Sequence, residues 1–414
     1  MIQQLKLAYQ AGYPKQFWLL FIGNMVSTIG TSMVWPFTMI YVSGKLGLPM
    51  TTTATLLTFR SVAGIITSLL AGPLTDALGR KWVMVVGLFL FGTTFIMMEA
   101  ADTLLAFALV MTLQGIFTPI YQVGADAMLT DLVAPEKRID AYSLTRMGHN
   151  VGVALGPVIG GALVMTSYQL AFYLGAVGMF FYAILMLFGV KETLVQRTPL
   201  KMAMHPKTLF DGYGVIFKDR KFIVSTIAVI MITLGVSMIW VLMPVYAKTN
   251  YQIPENLYGW LPLTNAAMVI FLQLVITQWA KRFHPVHAMA LGGGIYFVAM
   301  MWFATASSFW MFLVGFMIMT LGELILVPTS ATYAANLAPE DKRGRYLGLY
   351  GLHWSVASGI GPVLGGLLND QLGPRFIWLG GAWFPVIGGL IFLFLKKKEK
   401  HWTKAQQHTL AEVD

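Results

Sequence analysis

One glycine-rich apolar segment occurs twice in this chain, about 205 residues apart. The first copy reads APEKRIDAYSLTRMGHNVGVALGPVIGG at 134–161, and the second reads APEDKRGRYLGLYGLHWSVASGIGPVLGG at 338–366, with one extra residue. Each copy is a charged turn followed by a helix that ends in G-P-V-[IL]-G-G. The chain therefore encodes two equivalent halves. Duplicated helix bundles are typical of secondary transporters, in which a site between two halves faces either side of a membrane in turn.

The composition indicates a membrane protein, because hydrophobic residues make up 57% of 414 positions and charged residues only 11%. We therefore predict an all-α integral membrane protein, with twelve transmembrane helices in two pseudosymmetric six-helix halves. Stretches long enough to cross roughly 30 Å of hydrocarbon lie at 17–42, 52–75, 82–101, 104–130, 139–165, 168–190, 222–247, 257–280, 285–306, 309–335, 344–368 and 376–395. The predicted domains are an N-terminal half at 1–190, a cytoplasmic linker at 191–221, a C-terminal half at 222–395 and a cytoplasmic tail at 396–414.

The net charge of +10 is distributed as a topology signal. Lysines and arginines crowd into alternate loops, whereas the opposite loops hold little beyond Lys45, Lys248 and Arg375. By the positive-inside rule both termini are cytoplasmic, which places the chain as a multi-pass protein of the cell (inner) membrane. This pattern argues against a nucleic-acid partner.

Several reaction chemistries have no support in the sequence. The chain contains no Cys, which excludes disulfides, thiolate nucleophiles and Cys-based metal sites. It also contains no H-E-x-x-H, G-x-S-x-G or P-loop pattern. We therefore expect no enzyme activity, no metal and no cofactor.

A loop motif joins the second and third predicted helices at 72–81, where the chain reads GPLTDALGRK. Gly72 is expected to permit close helix approach, and Gly79 and Arg80 belong to a tight basic turn. The pattern G-x-L-x-D-x-x-G-R-[RK] resembles the loop signature of the major facilitator superfamily, although Ala77 replaces a frequent Arg.

This resemblance implies that the loop is a conformational gate on the cytoplasmic side. In the family, the residue matching Asp76 lies at a helix N-terminus of the other half, and the residue matching Arg80 pairs with an acid at the end of helix 4. The acid at that position here is Asp131. An anion near a helix N-terminus is stabilised by the helix dipole. In the alternative interpretation, the basic residues only set the topology.

The first repeat copy carries glycines at every fourth position, which allow close helix packing. Its GVALGPVIGG run resembles the helix 5 motif of the drug:proton antiporter families within this superfamily, which implies export by antiport. These families often carry an Arg where this chain has Met111, so proton coupling through that Arg is not carried over. The packing residues are Gly148, Gly152, Gly156, Pro157, Gly160 and Gly161, with Gly361 and Pro362 in the second copy.

Charged residues at membrane depth are costly and therefore informative. Glu323 lies about fifteen residues into helix 10, where desolvation favours the neutral carboxyl and suits it to reversible protonation. Its alternative is a structural carboxyl bonded to neighbouring groups. Arg60 lies nine residues into helix 2 and needs a counter-charge, a ring of acceptors or water. It is expected to pair with Glu323, to contact an anionic substrate group, or to bond within its own half.

Asp126 and Arg146 lie equally far from the turn at residue 136, on consecutive antiparallel helices. We expect a buried pair at similar depth, because pairing avoids an isolated charge. The alternative is a switchable pair that opens when Asp126 is protonated, which makes Asp126 a second proton-coupling candidate.

Two kinds of polar residue remain. His149 and His353 occupy nearly equivalent repeat positions, but neither has an acid or third His at ligand spacing, so hydrogen-bonded membrane histidines are favoured over a metal site. The other kind would line a pocket together with flexible Met side chains: Asn24, Trp35, Gln114, Tyr121, Trp240, Tyr246, Asn265 and Gln273.

The function predicted from these features is a proton-coupled secondary transporter that exports hydrophobic or amphipathic compounds by alternating access. Its expected partners are a small-molecule substrate, protons and membrane lipids, its energy source is a proton gradient, and it is expected to be a monomer. The alternatives are a transporter of a specific metabolite or organic anion attracted to Arg60, and, from another class, a lipid-handling or flippase-type protein.

Overall fold

The computed structural model describes residues 12–194, 199, 213–339 and 342–395. The predicted tail at 396–414 and most of the predicted linker at 191–221 lie outside these residues. All regular secondary structure in the described part of the chain is helical. The predicted all-α fold class is therefore confirmed.

Twelve long helices follow one another along the described ranges. Their order is α1 Lys15–Leu46, α2 Met50–Leu78, α3 Arg80–Ala100, α4 Leu104–Leu132, α5 Arg138–Val164, α6 Tyr168–Gly189, α7 Arg220–Tyr251, α8 Glu255–Ala280, α9 Pro285–Thr305, α10 Phe309–Leu337, α11 Arg343–Leu372 and α12 Phe376–Leu395. Helix α1 includes a 3-10 turn at Trp35–Phe37, and a short helix at Tyr213–Lys218 precedes α7.

Eleven of the described helices are long and apolar enough to cross a membrane. The exception is α11, which contains the second repeat copy. Glycines and polar side chains lower its hydropathy, although its 30 residues give it ample length. The chain is therefore a multi-pass membrane protein, and α11 is the twelfth helix that the repeat predicts.

The described residues form two compact units. The first contains residues 12–48, 56–194, 199 and 253–266, and the second contains 49–55, 213–252, 267–339 and 342–395. Each unit thus includes the first turns of one helix whose remainder belongs to the other unit. These turns are the start of α2 in the second unit and the start of α8 in the first. The domain boundaries predicted from the sequence remain a prediction.

In the first unit the glycines of α5 face α1. A Cβ atom on Gly152 would lie 2.7 Å from the Cβ of Thr28, and one on Gly156 would overlap Ser32. A Cβ on Gly160 would overlap the carbonyl oxygen of Met33. The backbones of α5 and α1 are therefore close along this face, as small residues permit.

In the second unit the repeat copy on α11 faces α7 in the same way. A Cβ on Gly361 would overlap the hydroxyl of Ser237, and one on Gly365 would lie 2.5 Å from Leu242. Gly361 thus meets a serine on α7, as Gly156 meets a serine on α1. This correspondence is the one that the sequence repeat leads us to expect.

The last glycine of each repeat packs against the first turn of another helix in the same unit, which is α8 in the first unit and α2 in the second. In the first unit a Cβ on Gly161 would overlap the carbonyl oxygen of Glu255, and the Tyr168 hydroxyl donates a 2.8 Å hydrogen bond to the Glu255 carboxylate. In the second unit a Cβ on Gly366 would lie 2.7 Å from the Thr51 nitrogen. The G-G ends of both repeats therefore contact the backbone at the first turns of α8 and α2 directly.

Candidate functional site

A polar cavity of about 190 Å³ lies inside the first unit, and we call it the arginine cavity. Arg60, near the middle of α2, is the charged residue on its border. Among the described residues, no carboxylate lines this cavity. Phe91, Phe95 and Met179 give the cavity an apolar wall. It contains several of the residues that the sequence assigns to a substrate cavity, namely Asn24, Trp35, Arg60, Gln114 and Tyr121.

Helix α1 supplies much of the polar border because its polar residues recur at three- and four-residue spacing and so share one face. Most of their hydroxyl hydrogens already bond to the helix backbone. Thr28 donates to the carbonyl of Asn24 at 2.7 Å, and Thr31 donates to the carbonyl of Ser27 at 3.1 Å. These hydroxyls therefore offer lone pairs to a ligand, whereas Arg60 and the carboxamides offer donors. The face consists of Asn24, Ser27, Thr28, Thr31 and Thr38.

Arg60 has no carboxylate within 4.0 Å in the part of the chain that the structure describes. The pairing with Glu323 considered from the sequence concerns residues of different units and remains a prediction. A guanidinium near the middle of a membrane helix is costly unless it is compensated. Its position on the border of a polar cavity is one in which a bound ligand can supply that compensation.

A second cavity of about 300 Å³ adjoins the first, and we call it the aspartate cavity. Asp126 on α4 and Arg146 on α5 border it. Tyr142 and Tyr182 lie on the same border, together with apolar side chains. Both cavities share four lining residues, which are Asn24, Tyr121, Gln122 and His149.

The ion pair expected between Asp126 and Arg146 is not formed in this structure. No contact of 4.0 Å or less joins their charged atoms among the described residues. The equal distance from the turn at 136 does bring both residues to one cavity, but each side chain borders the open volume instead of its partner. The switchable pair remains a prediction.

The remaining residues predicted for the cavity and for proton coupling border neither cavity. Glu323 on α10 is close enough to Tyr296 for electrostatic interaction. The Gln273 amide donates to the carbonyl of Leu324 at 3.1 Å. The others are Trp240, which packs edge-on against Phe316 at 5.7 Å, Tyr246, whose hydroxyl lies 3.3 Å from that of Tyr251, and Asn265, which is buried.

The two repeat histidines have different surroundings. His149 borders both cavities, and its Nδ1 atom lies 3.4 Å from the Thr28 hydroxyl. His353 has its Nδ1 atom 2.7 Å from the carbonyl oxygen of Tyr350. A search of the described residues finds no group of three metal-ligating side chains. His149 therefore lines both cavities, although the sequence analysis did not assign it to the substrate cavity.

The basic loop after α2 forms a compact ionic cluster. Gly79 has a φ of 101° and separates α2 from α3, as a tight turn requires. Arg80 Nε lies 2.8 Å from Asp131 Oδ2, and Arg80 Nη1 lies 3.1 Å from Asp76 Oδ1. The expected approach of Asp76 to the start of α11 concerns residues of different units and remains a prediction. The close-packing role expected of Gly72 is wrong in this structure, because a Cβ there would meet nothing within 4 Å.

Glu192, just after α6, is a part of this cluster that the sequence analysis missed. Its carboxylate accepts hydrogen bonds from the backbone N–H groups of Arg80 at 3.0 Å and Lys81 at 3.3 Å. It therefore caps the N-terminus of α3, where a negative charge is stabilised by the helix dipole. The signal was an acid at the end of α6, on the same predicted side of the membrane as the α2–α3 turn.

Comparison with known proteins identifies a family. The family model of the Major Facilitator Superfamily matches residues 20–234 and 225–412. A "Na(+), Li(+), K(+)/H(+) antiporter" of Planococcus maritimus is 25% identical over 90% of this chain and 94% of its own length. A "Multidrug resistance protein MdtH" of Salmonella arizonae is 22% identical over 95% of this chain and 96% of its own.

Solved structures show the same fold at low sequence identity. A peptide transporter in complex with sulfate has a TM-score of 0.77 and 18% identity, covering 93% of this chain and 95% of its own. A bacterial homologue of the human lysosomal transporter Spinster has a TM-score of 0.73 and 12% identity, covering 92% and 96%. The match to the family model confirms the resemblance stated from the loop motif.

Proposed function

The chain belongs to the major facilitator superfamily, whose members here are transport proteins and not enzymes, and we propose that it is a proton-coupled secondary transporter that exports amphipathic small molecules by alternating access. We place it in the inner membrane with both termini in the cytoplasm, following the distribution of basic loops. The helix 5 motif GVALGPVIGG supports exchange over cotransport, and an antiporter and a multidrug resistance protein are among the distant relatives.

The observation that carries this proposal is the pair of adjoining cavities in the first unit. One holds the cation Arg60 beside an apolar wall, and the other holds the carboxylate of Asp126. Because they share lining residues, a ligand that occupies one changes the surroundings of the other. An antiporter needs such a link, since its substrate and its proton must compete within one binding cycle.

Two carboxyl groups compete for the proton-coupling role. Asp126 borders a cavity and has no ion-pair partner within 4.0 Å among the described residues. Glu323 borders neither of the two cavities. Geometry therefore favours Asp126 for direct competition between substrate and proton, and Glu323 is the second candidate.

The experiment is efflux from proteoliposomes that contain the purified chain, with an imposed proton gradient and a panel of fluorescent amphipathic compounds. We expect gradient-driven transport in the wild type and its loss in Asp126→Asn, which keeps the size of the side chain but cannot carry a proton. The variant should still equilibrate substrate passively. Asp102→Asn, at an exposed position before α4, is the matched control. Gradient-driven transport by Asp126→Asn at the wild-type rate would contradict the assignment.

A second candidate function is cotransport of an organic anion, favoured by Arg60 on the arginine cavity, which has no carboxylate within 4.0 Å among the described residues. In that case protonation of Asp126 removes a negative charge near the bound anion, so proton and anion strengthen each other's binding. They would then cross the membrane in the same direction. The direction of net substrate movement in an imposed proton gradient separates the two functions, because a cotransported anion moves with the protons and an exchanged substrate moves against them.

A further inference from the structure

The two adjoining cavities carry different charged groups: Arg60 borders the arginine cavity, whereas Asp126 and Arg146 both border the aspartate cavity. Arg60 borders the arginine cavity alone among charged residues, and Asp126 is the acid on the border of the aspartate cavity. The shared residues Asn24, Tyr121 and Gln122 lie where one ligand passes from one cavity to the other. Among the described residues neither Arg60 nor Asp126 has an ion-pair partner within 4.0 Å, Arg146 included. A ligand with a single charged group leaves one of the two without a direct ionic contact, which is unfavourable in a low-dielectric surrounding.

Resting on the proposed function, we infer that the cargo is a zwitterionic amphipath, whose anionic group binds Arg60 and whose ammonium group binds Asp126. Arginine suits a carboxylate, sulfonate or phosphate group, because its guanidinium donates two parallel hydrogen bonds. The hydroxyls of Thr28 and Thr31 cannot replace it, since their hydrogens bond to the backbone. An aromatic body between the two charged groups fits the wall formed by Phe91 and Phe95.

This assignment explains exchange with protons in chemical terms. An ammonium group that donates hydrogen bonds to Asp126 requires the carboxylate form, so the bound cargo and a proton on Asp126 exclude each other. The other charged or titratable groups on the same border are Tyr121, Tyr142, Arg146, His149 and Tyr182. Arg146 keeps its charge throughout, so a change of protonation at this border falls on Asp126 or on His149.

The test uses a naphthalene ring that carries an aminomethyl group and a carboxylate, and three analogues of it. N-acetylation leaves only the anion, amidation of the carboxylate leaves only the cation, and both changes together leave a neutral compound. Binding to the full chain in lipid nanodiscs is measured by calorimetry. We expect the zwitterion to bind about tenfold or more tightly than either singly charged analogue, because each lost contact is a charge-assisted hydrogen bond.

Variants assign each charged group of the ligand to its residue. Arg60→Gln should remove the preference for carboxylate over carboxamide and leave the preference for ammonium over acetamide. Asp126→Asn should do the reverse. Zwitterion binding in weakly buffered solution should also release a proton in the wild type and in His149→Gln, but none in Asp126→Asn.

The outcomes separate this inference from the proposed function. If the zwitterion does not bind best to the wild type, or does not bind, the inference is overturned without the use of any variant. A preference for the anion-only analogue supports organic-anion cotransport instead. If gradient-driven efflux of the amphipathic panel persists while the charges of the four probes make no difference, only the zwitterion assignment fails. If no compound is driven by the gradient, the proposed function itself fails.

Discussion

Asp370 accepts two hydrogen bonds from Thr51, one from the backbone N–H at 2.9 Å and one from the hydroxyl at 2.7 Å. Thr51 is the second residue of α2, so this carboxylate on α11 satisfies one of the free N–H groups at the start of another helix. Gly366, one turn earlier on α11, touches the same backbone. Both contacts join residues that are more than 300 positions apart, with Thr51 and Asp370 separated by 319.

The first prediction concerns this cap. Asp370→Ala removes an anion from a helix N-terminus, which should weaken the packing of the first turn of α2 on α11 by about 1 kcal/mol. Opening of this contact should then be about fivefold more frequent. The chain has no Cys, so a thiol introduced at the fully buried Ala54, in the part of α2 that belongs to the second unit, is the single reactive one. Its labelling rate by a thiol reagent reports the opening.

The control for the cap is Asp102→Ala, which removes an exposed acid that pairs with Lys45 at 2.7 Å. It should leave the labelling rate at Ala54→Cys unchanged. Equal labelling rates in the Asp370 and Asp102 variants would show that the cap contributes nothing to the packing of α2.

The second prediction concerns the G-G end of the second repeat. Gly366→Ala places a Cβ at 2.7 Å from both the nitrogen and the Cα of Thr51, where backbone must move. We expect the free energy of unfolding to fall by about 1–3 kcal/mol, as for an overpacked core position, and the labelling at Ala54→Cys to be faster. Gly351→Ala on the same helix is the control, because a Cβ there meets nothing within 4 Å. Similar stability in both variants would contradict the close contact.

The sequence predicts the helices and many cavity residues of this protein well, but it predicts side-chain contacts less well. The repeat and the apolar stretches predict the helices well, because they depend on local composition and length. Residues of α1, α2 and α4 that border the arginine cavity were also found, since polar side chains in apolar helices are conspicuous. Asp126 and Arg146 reached the expected cavity but not each other, because equal distance from a turn fixes depth and not side-chain direction.

The contacts that Asp370 and Glu192 make with the starts of other helices could not be predicted, whereas the pair of Arg80 and Asp131 was expected from the loop motif. Nothing in the local pattern around Asp370 shows that Thr51 is its partner, and Glu192 was treated as part of the linker. Capping by a residue from another helix depends on tertiary packing and leaves no fixed spacing in the sequence. The expectation for Gly72 was wrong because a glycine in a motif does not show by itself whether another helix packs against it.

The third prediction concerns the loop cluster. Glu192→Gln keeps an acceptor for the N–H groups of Arg80 and Lys81 but removes the charge at the α3 N-terminus, which should lower the free energy of unfolding by about 0.3–1 kcal/mol.

Asp76→Asn should slow transport while substrate binding stays largely intact, because the cluster and the cavities are separate. Binding affinity and the rate per bound complex are measured in the same proteoliposomes. Lost binding with an unchanged rate would assign Asp76 to the substrate site.

The last prediction separates Glu323 from Asp126 as the group that carries the proton. Glu323→Gln keeps the size and hydrogen bonding of a side chain that lies near Tyr296 and borders neither described cavity. We therefore expect this variant to retain most of its gradient-driven efflux, whereas Asp126→Asn loses it. If Glu323→Gln abolishes gradient-driven efflux and still exchanges substrate passively, the coupling role belongs to Glu323, as the sequence first suggested. Arg60 is then a substrate contact, and competition at Asp126 is not needed to explain exchange.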